Sequence, residues 1–287
     1  MKRPKTECPM HISIQDVKKE FDTRNGKITA LEKTSLEIGS GEFVCLVGPS
    51  GCGKTTLLNL VAGLEQPTQG IIYKNGEIIT SPGSDRVVIF QESALFPWLN
   101  VIKNVEFGLV SRVEAKKRHE IARAFLNLVH LGRFEKSYIH ELSGGMKSRV
   151  AIARALALNP SVLLMDEPFA ALDAQTRDIL HDEIQEIWSK TKQTIIFVTH
   201  NVREAVCLGN RVLVFSARPG RIKKEFKIEL ARPRDINSES VMVYVQQIQN
   251  ELREEIEKFL REEVDRGWTL KKTDFLRPAG VDFGSDI

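Results

Sequence analysis

The sequence has few cysteines and no long apolar run. Its four cysteines are Cys8, Cys45, Cys52 and Cys207. They form no CxxC pair and no spacing typical of metal ligands, which favours free thiols in a reducing compartment over disulfides or a zinc site. No stretch approaches the roughly 18 apolar residues that cross a bilayer, and no apolar signal segment follows the basic N-terminal residues. The sequence therefore predicts a chain that stays in the cytosol.

An excess of one charge is also absent. The 287 residues include 41 Lys and Arg and 38 Asp and Glu, for a formal net charge of +3. This balance does not indicate nucleic acid or an anionic membrane as the main partner, and we expect no nucleic acid. A hydrophobic content of 42% can supply the core of one large domain or two small ones.

Two kinds of β-strand are predicted from the apolar pattern. Residues 11–40 alternate apolar and polar side chains, which is typical of antiparallel strands with one face in water. The apolar positions of this segment are Ile12, Ile14, Val17, Leu36 and Ile38. Residues 42–47, 162–165 and 194–198 are short and continuously apolar, as expected of parallel strands that are buried on both faces.

Helices are predicted between and after these strands. Residues 113–131 have one apolar face, formed by Ile121, Phe125, Leu128 and Val129. This pattern predicts a helical lobe, at about residues 92–158, inserted into an α/β core. Apolar residues recur every three or four positions from 241 to 264, which predicts an amphipathic helix at about 240–264 within a C-terminal extension, 231–287. This helix could pack on its own domain or bind a partner.

The most specific motif follows the first buried run. Residues 48–55 fit the pattern G-x-x-x-x-G-K-[ST], between a predicted strand and a predicted helix. Glycines let backbone N–H groups turn toward phosphates, and the helix N-terminus adds positive potential. The predicted ATP-binding residues of this loop are Gly48, Pro49, Ser50, Gly51, Cys52, Gly53, Lys54, Thr55 and Thr56. Lys54 would supply a cation to the β- and γ-phosphates, and Thr55 a hydroxyl to magnesium. Kinases, GTPases and transporter ATPases all use such a loop.

Two adjacent carboxylates end the next buried run. Asp166 and Glu167 follow three apolar residues and would lie at the carboxyl edge of the sheet, where ligands bind in α/β folds. Asp166 would hold magnesium through water, and Glu167 would polarise the water that attacks the γ-phosphate. Taken alone, the pair could also be a solvated strand end.

A second glycine-rich segment precedes that run. It reads Leu142, Ser143, Gly144, Gly145 and Met146 and leads into an alanine- and arginine-rich segment that favours helix. A serine and two glycines at a helix start form an anion site. The segment resembles the signature of ABC ATPases, which kinases and GTPases lack.

Other motifs resemble those of ABC ATPases and occur in that family's order across residues 11–230. Gln91 resembles the glutamine that contacts magnesium and water and faces the permease. Leu172 and Asp173 resemble the D-loop, and His200 resembles the switch histidine that contacts the γ-phosphate. The resemblance implies ATP and Mg²⁺ as cofactors. It also implies an α/β P-loop fold with a mostly parallel sheet, an antiparallel β-subdomain and an inserted helical lobe.

Two positions depart from the family's pattern. Family members commonly stack adenine on a tyrosine, but the candidate here is Phe21, which can stack without the hydroxyl. The signature's usual final glutamine is Met146, and Ser148 stands where a glutamine often lies. Because the serine and the glycines make the phosphate contact, we expect activity to persist.

A narrower resemblance rests on residues 95–105, 216–221 and 232–235 together with the Leu-Ser-Gly-Gly-Met form of the signature. These segments are similar to the nitrate/sulfonate/taurine import branch. That branch implies a membrane permease and an external solute-binding protein, with the ATPase as a peripheral subunit on the cytoplasmic face of the cell membrane. The solute stays open, because an ATPase subunit does not bind it.

Two alternatives belong to other functional classes. Soluble ABC proteins of translation control or DNA repair typically carry two cassettes or a long coiled-coil insertion, and neither pattern is visible in this sequence. A P-loop kinase would lack the signature and the equivalent of His200. Transport is therefore the favoured interpretation.

Two surfaces are predicted to bind partners. Ser143 lies beyond the helical lobe from Lys54, so one chain would hold two incomplete half-sites. The resemblance to ABC ATPases implies that two copies, or this chain and a similar ATPase subunit, pack head to tail with each ATP between them. The second surface is apolar and consists of Phe96, Trp98, Leu99 and Phe107. It would receive a permease helix if exposed, or fill the core of the lobe if buried.

Overall fold

The computed structural model describes residues 10–24 and 26–265. Its strands are β1 (Met10–Thr23), β2 (Gly26–Gly39), β3 (Phe43–Val47), β4 (Gln69–Lys74), β5 (Glu77–Ile78), β6 (Arg86–Ile89), β7 (Val162–Asp166), β8 (Thr194–Val198), β9 (Arg211–Phe215) and β10 (Ile222–Lys227). Its α-helices are α1 (Lys54–Ala62), α2 (Val101–Glu106), α3 (Ala115–Leu128), α4 (Gly144–Ala157), α5 (Ala174–Thr191), α6 (Val202–Leu208) and α7 (Glu239–Asp265). Short 3-10 helices span Phe107–Leu109, Gly132–Phe134 and Ile139–Glu141.

The N-terminal strands form an antiparallel sheet of four strands in the order β2-β1-β4-β5. The five apolar side chains that the alternating pattern placed on its inner face are all buried. They pack against α1 and against one face of the second sheet. The predicted antiparallel β-subdomain is confirmed.

The second sheet has six strands in the order β10-β9-β3-β8-β7-β6. Its strands are parallel except β10, which pairs antiparallel with β9. Every residue of β3, β7 and β8 is buried, as the continuous apolar runs predicted. Because β3, β7 and β8 are parallel neighbours, the segments that follow them meet at one edge of the sheet.

The helices α2, α3 and α4 lie between β6 and β7 in the chain and form the helical lobe. The predicted apolar face of α3 contacts the core: Val129 is buried, and Ile121, Phe125 and Leu128 are partly buried against the core cluster. The most deeply buried residues of the helix, Ala122 and Leu126, were not predicted. Helix α3 packs closely on α2 and α4, and the small Ala122 permits this approach.

The C-terminal helix α7 agrees with the predicted amphipathic segment. Val241, Val245 and Ile248 are buried, and the helix packs on α6 and β9, so its first half contacts its own domain. Ile256, further along the same predicted face, is 44% exposed. Residues 266–287 of the predicted extension lie outside the described residues.

A buried arginine joins this extension to the α/β core. Arg234 is 4% exposed, and its guanidinium donates to the carbonyl oxygens of Val206 at 2.8 Å, Ile228 at 3.0 Å and Leu230 at 3.1 Å. It also donates to Gly209 O at 2.6 Å. Burial lowers the pKa of Arg234. The peptide dipoles at the end of α6 supply negative potential for this cation.

The sequence predicted free cysteines and no membrane-spanning segment, and the described residues bear on both predictions. Cys45, Cys52 and Cys207 are free and buried, while Cys8 lies outside the described residues. None of the helices of residues 10–265 combines the length and the apolar composition that crossing a bilayer requires.

Candidate functional site

A cavity of about 560 Å³ contains many of the residues predicted from the motifs. It is lined by Phe21, Ser50, Gly51, Cys52, Gly53, Lys54, Thr55, Thr56, Gln91, Glu167 and His200, and also by Thr23, Ile28, Thr29, Ala30 and Arg218. The first sheet supplies one wall, and the loops that follow strands of the second sheet supply the other. The volume is in the range of small-molecule sites.

The loop at 48–55 connects β3 to α1 and wraps around a buried lysine. Lys54 is 6% exposed, and its Nζ donates to Gly48 O at 2.9 Å and to Pro49 O at 2.8 Å. Gly51 and Gly53 have φ values of 70° and 95°, a left-handed conformation that favours glycine. A Cβ at Gly53 would lie 2.6 Å from Ala30 O, so the loop has no room for a side chain there. The arrangement places a cation and a helix start at one anion-binding concavity.

A hydroxyl and a carboxylate lie together beside this loop. Thr55 Oγ1 donates to Asp166 Oδ1 at 3.2 Å, and Asp166 is 7% exposed at the end of β7. Burial raises the pKa of Asp166 above its usual value, and the charge of Glu167 adds to this. The Thr55 hydrogen bond and the charge of Lys54 act in the opposite direction. Two oxygen ligands next to a phosphate cradle fit Mg²⁺, which keeps waters and binds phosphates directly.

Glu167 follows Asp166 in an unusual backbone conformation. Its φ is 46°, and its N–H donates to Val198 O at 2.9 Å. A non-glycine residue pays of the order of 1–3 kcal/mol for such a conformation, which occurs often at functional sites. The conformation brings Glu167 Oε2 within 3.1 Å of His200 Nδ1. Gln91, after β6, lines the same cavity and makes no side-chain hydrogen bond among residues 10–24 and 26–265.

Phe21 lies at the other end of the cavity, on β1. Its side chain is 36% exposed, and Lys19 Nζ lies 4.8 Å from the centre of its ring. Ile28, paired with Phe21 across the hairpin, is 48% exposed. The cavity therefore has an apolar end that can stack an aromatic ring and a polar end that can hold phosphates.

The predicted signature residues lie outside this cavity. Ser143 precedes α4, and its Oγ accepts a hydrogen bond from Met146 N at 3.3 Å. Leu142 is buried, while Gly144 is exposed. A Cβ at Gly145 would lie 3.1 Å from Leu172 Cδ2, so the signature and the D-loop are adjacent within one chain.

The D-loop residue Asp173 caps a helix. Its carboxylate accepts a hydrogen bond from Thr176 N at 2.9 Å at the start of α5. This interaction lowers the pKa of Asp173. The D-loop is therefore held rigidly beside the signature, and neither Leu172 nor Asp173 lines the cavity.

Two features of the cavity were not predicted from the motifs. Arg218 lines it, and Arg218 Nε donates to Gly51 O at 2.9 Å. In the sequence, Arg218 belongs to the segment 216–221. That segment indicated a resemblance to the nitrate/sulfonate/taurine import branch, and it gave no indication that Arg218 lies at the nucleotide cavity. The contact between Glu167 and His200 requires the unusual φ of Glu167, for which the sequence carries no signal.

A P-loop ATPase is the class that this fold and cavity define. The profile of the family described as ABC transporter matches residues 31–170. The chain belongs to the ATP-binding proteins of ABC transporters and is an ATP hydrolase of that family. The resemblance found in the sequence and the fold class that it implied are both confirmed.

Within this family, the chain is similar to ATP-binding proteins of importers and to a solved ATP-binding cassette. The chain is 49% identical over 222 residues to the nitrate import ATP-binding protein NrtD of Synechocystis sp. PCC 6803, covering 77% of this chain and 84% of that one. It is 48% identical over 222 residues to the taurine import ATP-binding protein TauB of Burkholderia pseudomallei 1710b, covering 77% and 85%. A dimeric structure of the ATP-binding cassette MJ0796 bound to ADP and Pi has a TM-score of 0.70 and 31% identity, covering 77% of this chain and 100% of that one.

Proposed function

We propose that this chain energises an ABC importer for nitrate, taurine, a sulfonate or a related small solute. The supporting observation is the cavity that holds Lys54, Glu167 and His200 together beside Thr55 and Asp166. The names of the relatives support the solute class. The proposed ABC ATPase domain is 11–230, with a helical lobe at about 92–158 and an extension at 231–287.

In this proposal, ATP lies along the cavity with its adenine on Phe21 and its phosphates in the loop at 48–55. The ring supplies a stacking surface, and Lys54 supplies a positive charge beside the backbone N–H groups of the loop. Lys54 is already held by two carbonyl groups of its own loop, so it requires little ordering when a phosphate arrives.

Magnesium is the second proposed cofactor. Thr55, Asp166 and Gln91 would hold it, directly or through water, and it would neutralise charge on the transferred phosphoryl group. Glu167 would orient the attacking water and accept its proton. His200, hydrogen-bonded to Glu167, would fix the position of that carboxylate and contact the γ-phosphate.

The remaining motifs complete the site in a partner subunit. Ser143 and Gly145 lie outside the cavity of their own chain, so we propose that they contact the ATP of a second copy or of a similar ATPase subunit. The related ATP-binding cassette MJ0796 forms a dimer in its ADP- and Pi-bound structure, which supports this arrangement. ATP would then hold the two subunits together, and hydrolysis would release them.

A surface of the helical lobe is the proposed contact with the permease. Trp98 is 70% exposed and Phe107 51% exposed, and Phe96 lies 5.5 Å from the Trp98 ring and 4.3 Å from the Phe107 ring. The side chain of the buried Asn104 accepts a hydrogen bond from Phe96 N and donates one to Phe96 O. These two hydrogen bonds fix the backbone of the loop that carries Phe96. Phe96 and Leu99 are half-buried and belong partly to the lobe, so the exposed surface consists mainly of Trp98 and Phe107. This contact would place the chain on the cytoplasmic face of the membrane, below a permease served by an external solute-binding protein.

Two measurements test the proposal. The purified full chain should hydrolyse ATP in the presence of Mg²⁺, and Lys54→Ala should weaken both ATP binding and turnover because the phosphate cation is lost. A strain lacking the gene should lose uptake of one of the named solutes and regain it with the parent gene but not with Lys54→Ala. Normal uptake of all of them in the deletion strain, with ATP hydrolysis intact, would favour the soluble ABC alternative.

A further inference from the structure

The loop at residues 216–221 connects the C-terminal part of the chain to the phosphate loop. It lies between β9 and β10. Gly220 N donates to Ala30 O at 3.2 Å, and Gly220 O accepts from Glu32 N at 2.8 Å, so the loop is bonded to β2. A Cβ at Gly220 would lie 1.7 Å from Cys52 O, so the loop also lies directly against the phosphate loop.

Arg218 extends from this loop to the phosphate loop. Its Nε donates to Gly51 O at 2.9 Å, and its side chain lines the nucleotide cavity. A guanidinium has five N–H donors, and the other donors of Arg218 make no hydrogen bond within the described part of the chain. They are therefore available to a nucleotide phosphate or to ordered water.

The contact with Gly51 fixes the direction of a backbone amide. Gly51 C=O and Cys52 N–H belong to one planar trans peptide and point in opposite directions. Gly51 has a φ of 70° and no side chain, so this peptide would otherwise rotate easily. Phosphate loops bind their ligand through such N–H groups, and holding the carbonyl therefore orients the donor of Cys52.

The helix α7 holds the residue before Arg218. Glu255 on α7 is 9% exposed, and its Oε2 accepts a hydrogen bond from Ala217 N at 3.2 Å. Its Oε1 lies 3.3 Å from Lys223 Nζ on β10. Burial lowers the pKa of Lys223, but hydrogen bonds to Glu254, Glu251 and Glu255 outweigh this and raise it, so the ammonium persists at physiological pH. A continuous set of contacts thus runs from α7 through Glu255, Ala217 and Arg218 to Gly51.

We propose that Arg218 is a positioning residue of the phosphate loop and that α7 sets its position through Glu255. The C-terminal extension then tunes the affinity of the protein for ATP. This inference rests on the proposed function, because it assigns the phosphates of ATP to the loop at 48–55.

The test compares steady-state ATP hydrolysis and calorimetric ATP binding among variants of the full chain. Arg218→Ala should raise KM and Kd for ATP by about tenfold, the scale of one charge-assisted hydrogen bond, with kcat changed by less than about twofold. Arg218→Lys should recover part of the affinity, since an ammonium can still donate to Gly51 O. Glu255→Ala should raise KM by about threefold, because the loop is loosened but Arg218 is retained.

Matched variants are available in the same elements. Arg221→Ala removes an equal charge from the same loop, and the Arg221 side chain makes no hydrogen bond or ion pair among the described residues. Glu254→Ala removes a carboxylate of α7 that contacts Lys223 but not Ala217. Both should leave the KM for ATP unchanged.

Three outcomes are distinguishable. The expected rise in KM for both Arg218→Ala and Glu255→Ala, with both controls unchanged, supports the inference. If either Arg218→Ala or Glu255→Ala has a KM within about twofold of the parent value, the inference is overturned, whatever the melting temperature of the variant. The proposed function still stands in that case, provided that the parent protein binds ATP. If the parent binds no ATP, the proposed function and this inference fail together.

Discussion

His200 Nδ1 lies 3.1 Å from Glu167 Oε2, although the two residues follow different strands of the sheet. The neighbouring parallel strands β7 and β8 bring them side by side, and the left-handed φ of Glu167 turns its carboxylate toward the imidazole. The contact fixes the direction of the carboxylate. In the proposed function Glu167 is the general base, and a general base is most effective when its position is fixed.

The first prediction concerns Glu167. We expect Glu167→Gln to bind ATP normally but to hydrolyse it roughly a hundredfold or more slowly, because an amide cannot accept the proton of the attacking water. The variant should also accumulate as an ATP-bound dimer. Single-turnover hydrolysis and gel filtration with ATP would measure both effects, with Asp182→Asn as an exposed control outside the cavity. Hydrolysis by Glu167→Gln at the parent rate would show that another group is the base.

The second prediction concerns the shared site. Lys54→Ala and Ser143→Arg should each be inactive alone, whereas a mixed dimer pairs one intact site with one doubly damaged site. We expect ATP hydrolysis to recover when the two variants are mixed. As a control, a chain carrying both substitutions, mixed with either single variant, leaves no intact site and should recover nothing. A monomer that hydrolyses ATP at full rate at high dilution would disprove the shared site.

The third prediction concerns the pH dependence of stability at Asp166. Burial raises the pKa of this carboxyl in the folded protein, so its contribution to stability is present below the unfolded pKa, about 3.9, and is lost as pH rises through the folded pKa. At pH 7 the charged form therefore opposes folding. Asp166→Asn should raise the melting temperature at pH 7, and the gain should shrink as pH falls toward 4.

The same variant should lose activity, because a neutral amide is a poor magnesium ligand. Thermal melting between pH 4 and 8 and ATP hydrolysis would measure the two effects separately. The Asn side chain retains an oxygen that can accept the hydrogen bond of Thr55. A fall in melting temperature at pH 7 would contradict the pKa direction.

The fourth prediction concerns the exposed aromatic surface of the lobe. Trp98→Ala should leave ATP hydrolysis by the isolated subunit unchanged but weaken its binding to the permease and reduce solute uptake, since an exposed Trp is a typical interface anchor. Val243→Ala, also at an exposed apolar residue, is the matched control. Cysteine crosslinking of position 98 to the permease would locate the contact. Failure to crosslink despite intact transport would argue for another docking surface.

Much of the fold was predictable because its strands have strong patterns. Each of the three continuous apolar runs is a strand in the structure. The bounds of β3 and β7 differ from the predicted bounds by one residue at one end, and those of β8 are as predicted. Such runs are buried on both faces, so composition alone marks them. The face of α3 was less predictable, because Ala122 is too small to be recognised as a core residue from its hydrophobicity.

The cavity residues that belong to a contiguous sequence motif could be predicted. Those that tertiary structure brings to the cavity from distant segments could not. The loop at 48–55 carries its own glycines, and its geometry follows from them. Arg218 is far from that loop in sequence, and its position depends on the pairing of β9 with β3. Neither residue type nor spacing indicates that contact.

The buried guanidinium of Arg234 limits how this protein can be recombined with others. A chain cut at residue 230 would leave the carbonyl groups at the end of α6 without the donors of Arg234, so we expect removal of the extension to destabilise the remaining domain. A chimaera that exchanges C-terminal segments between such cassettes has to transfer this arginine together with a matching α6 terminus. The useful junction for such fusions therefore lies beyond Arg234, not before it.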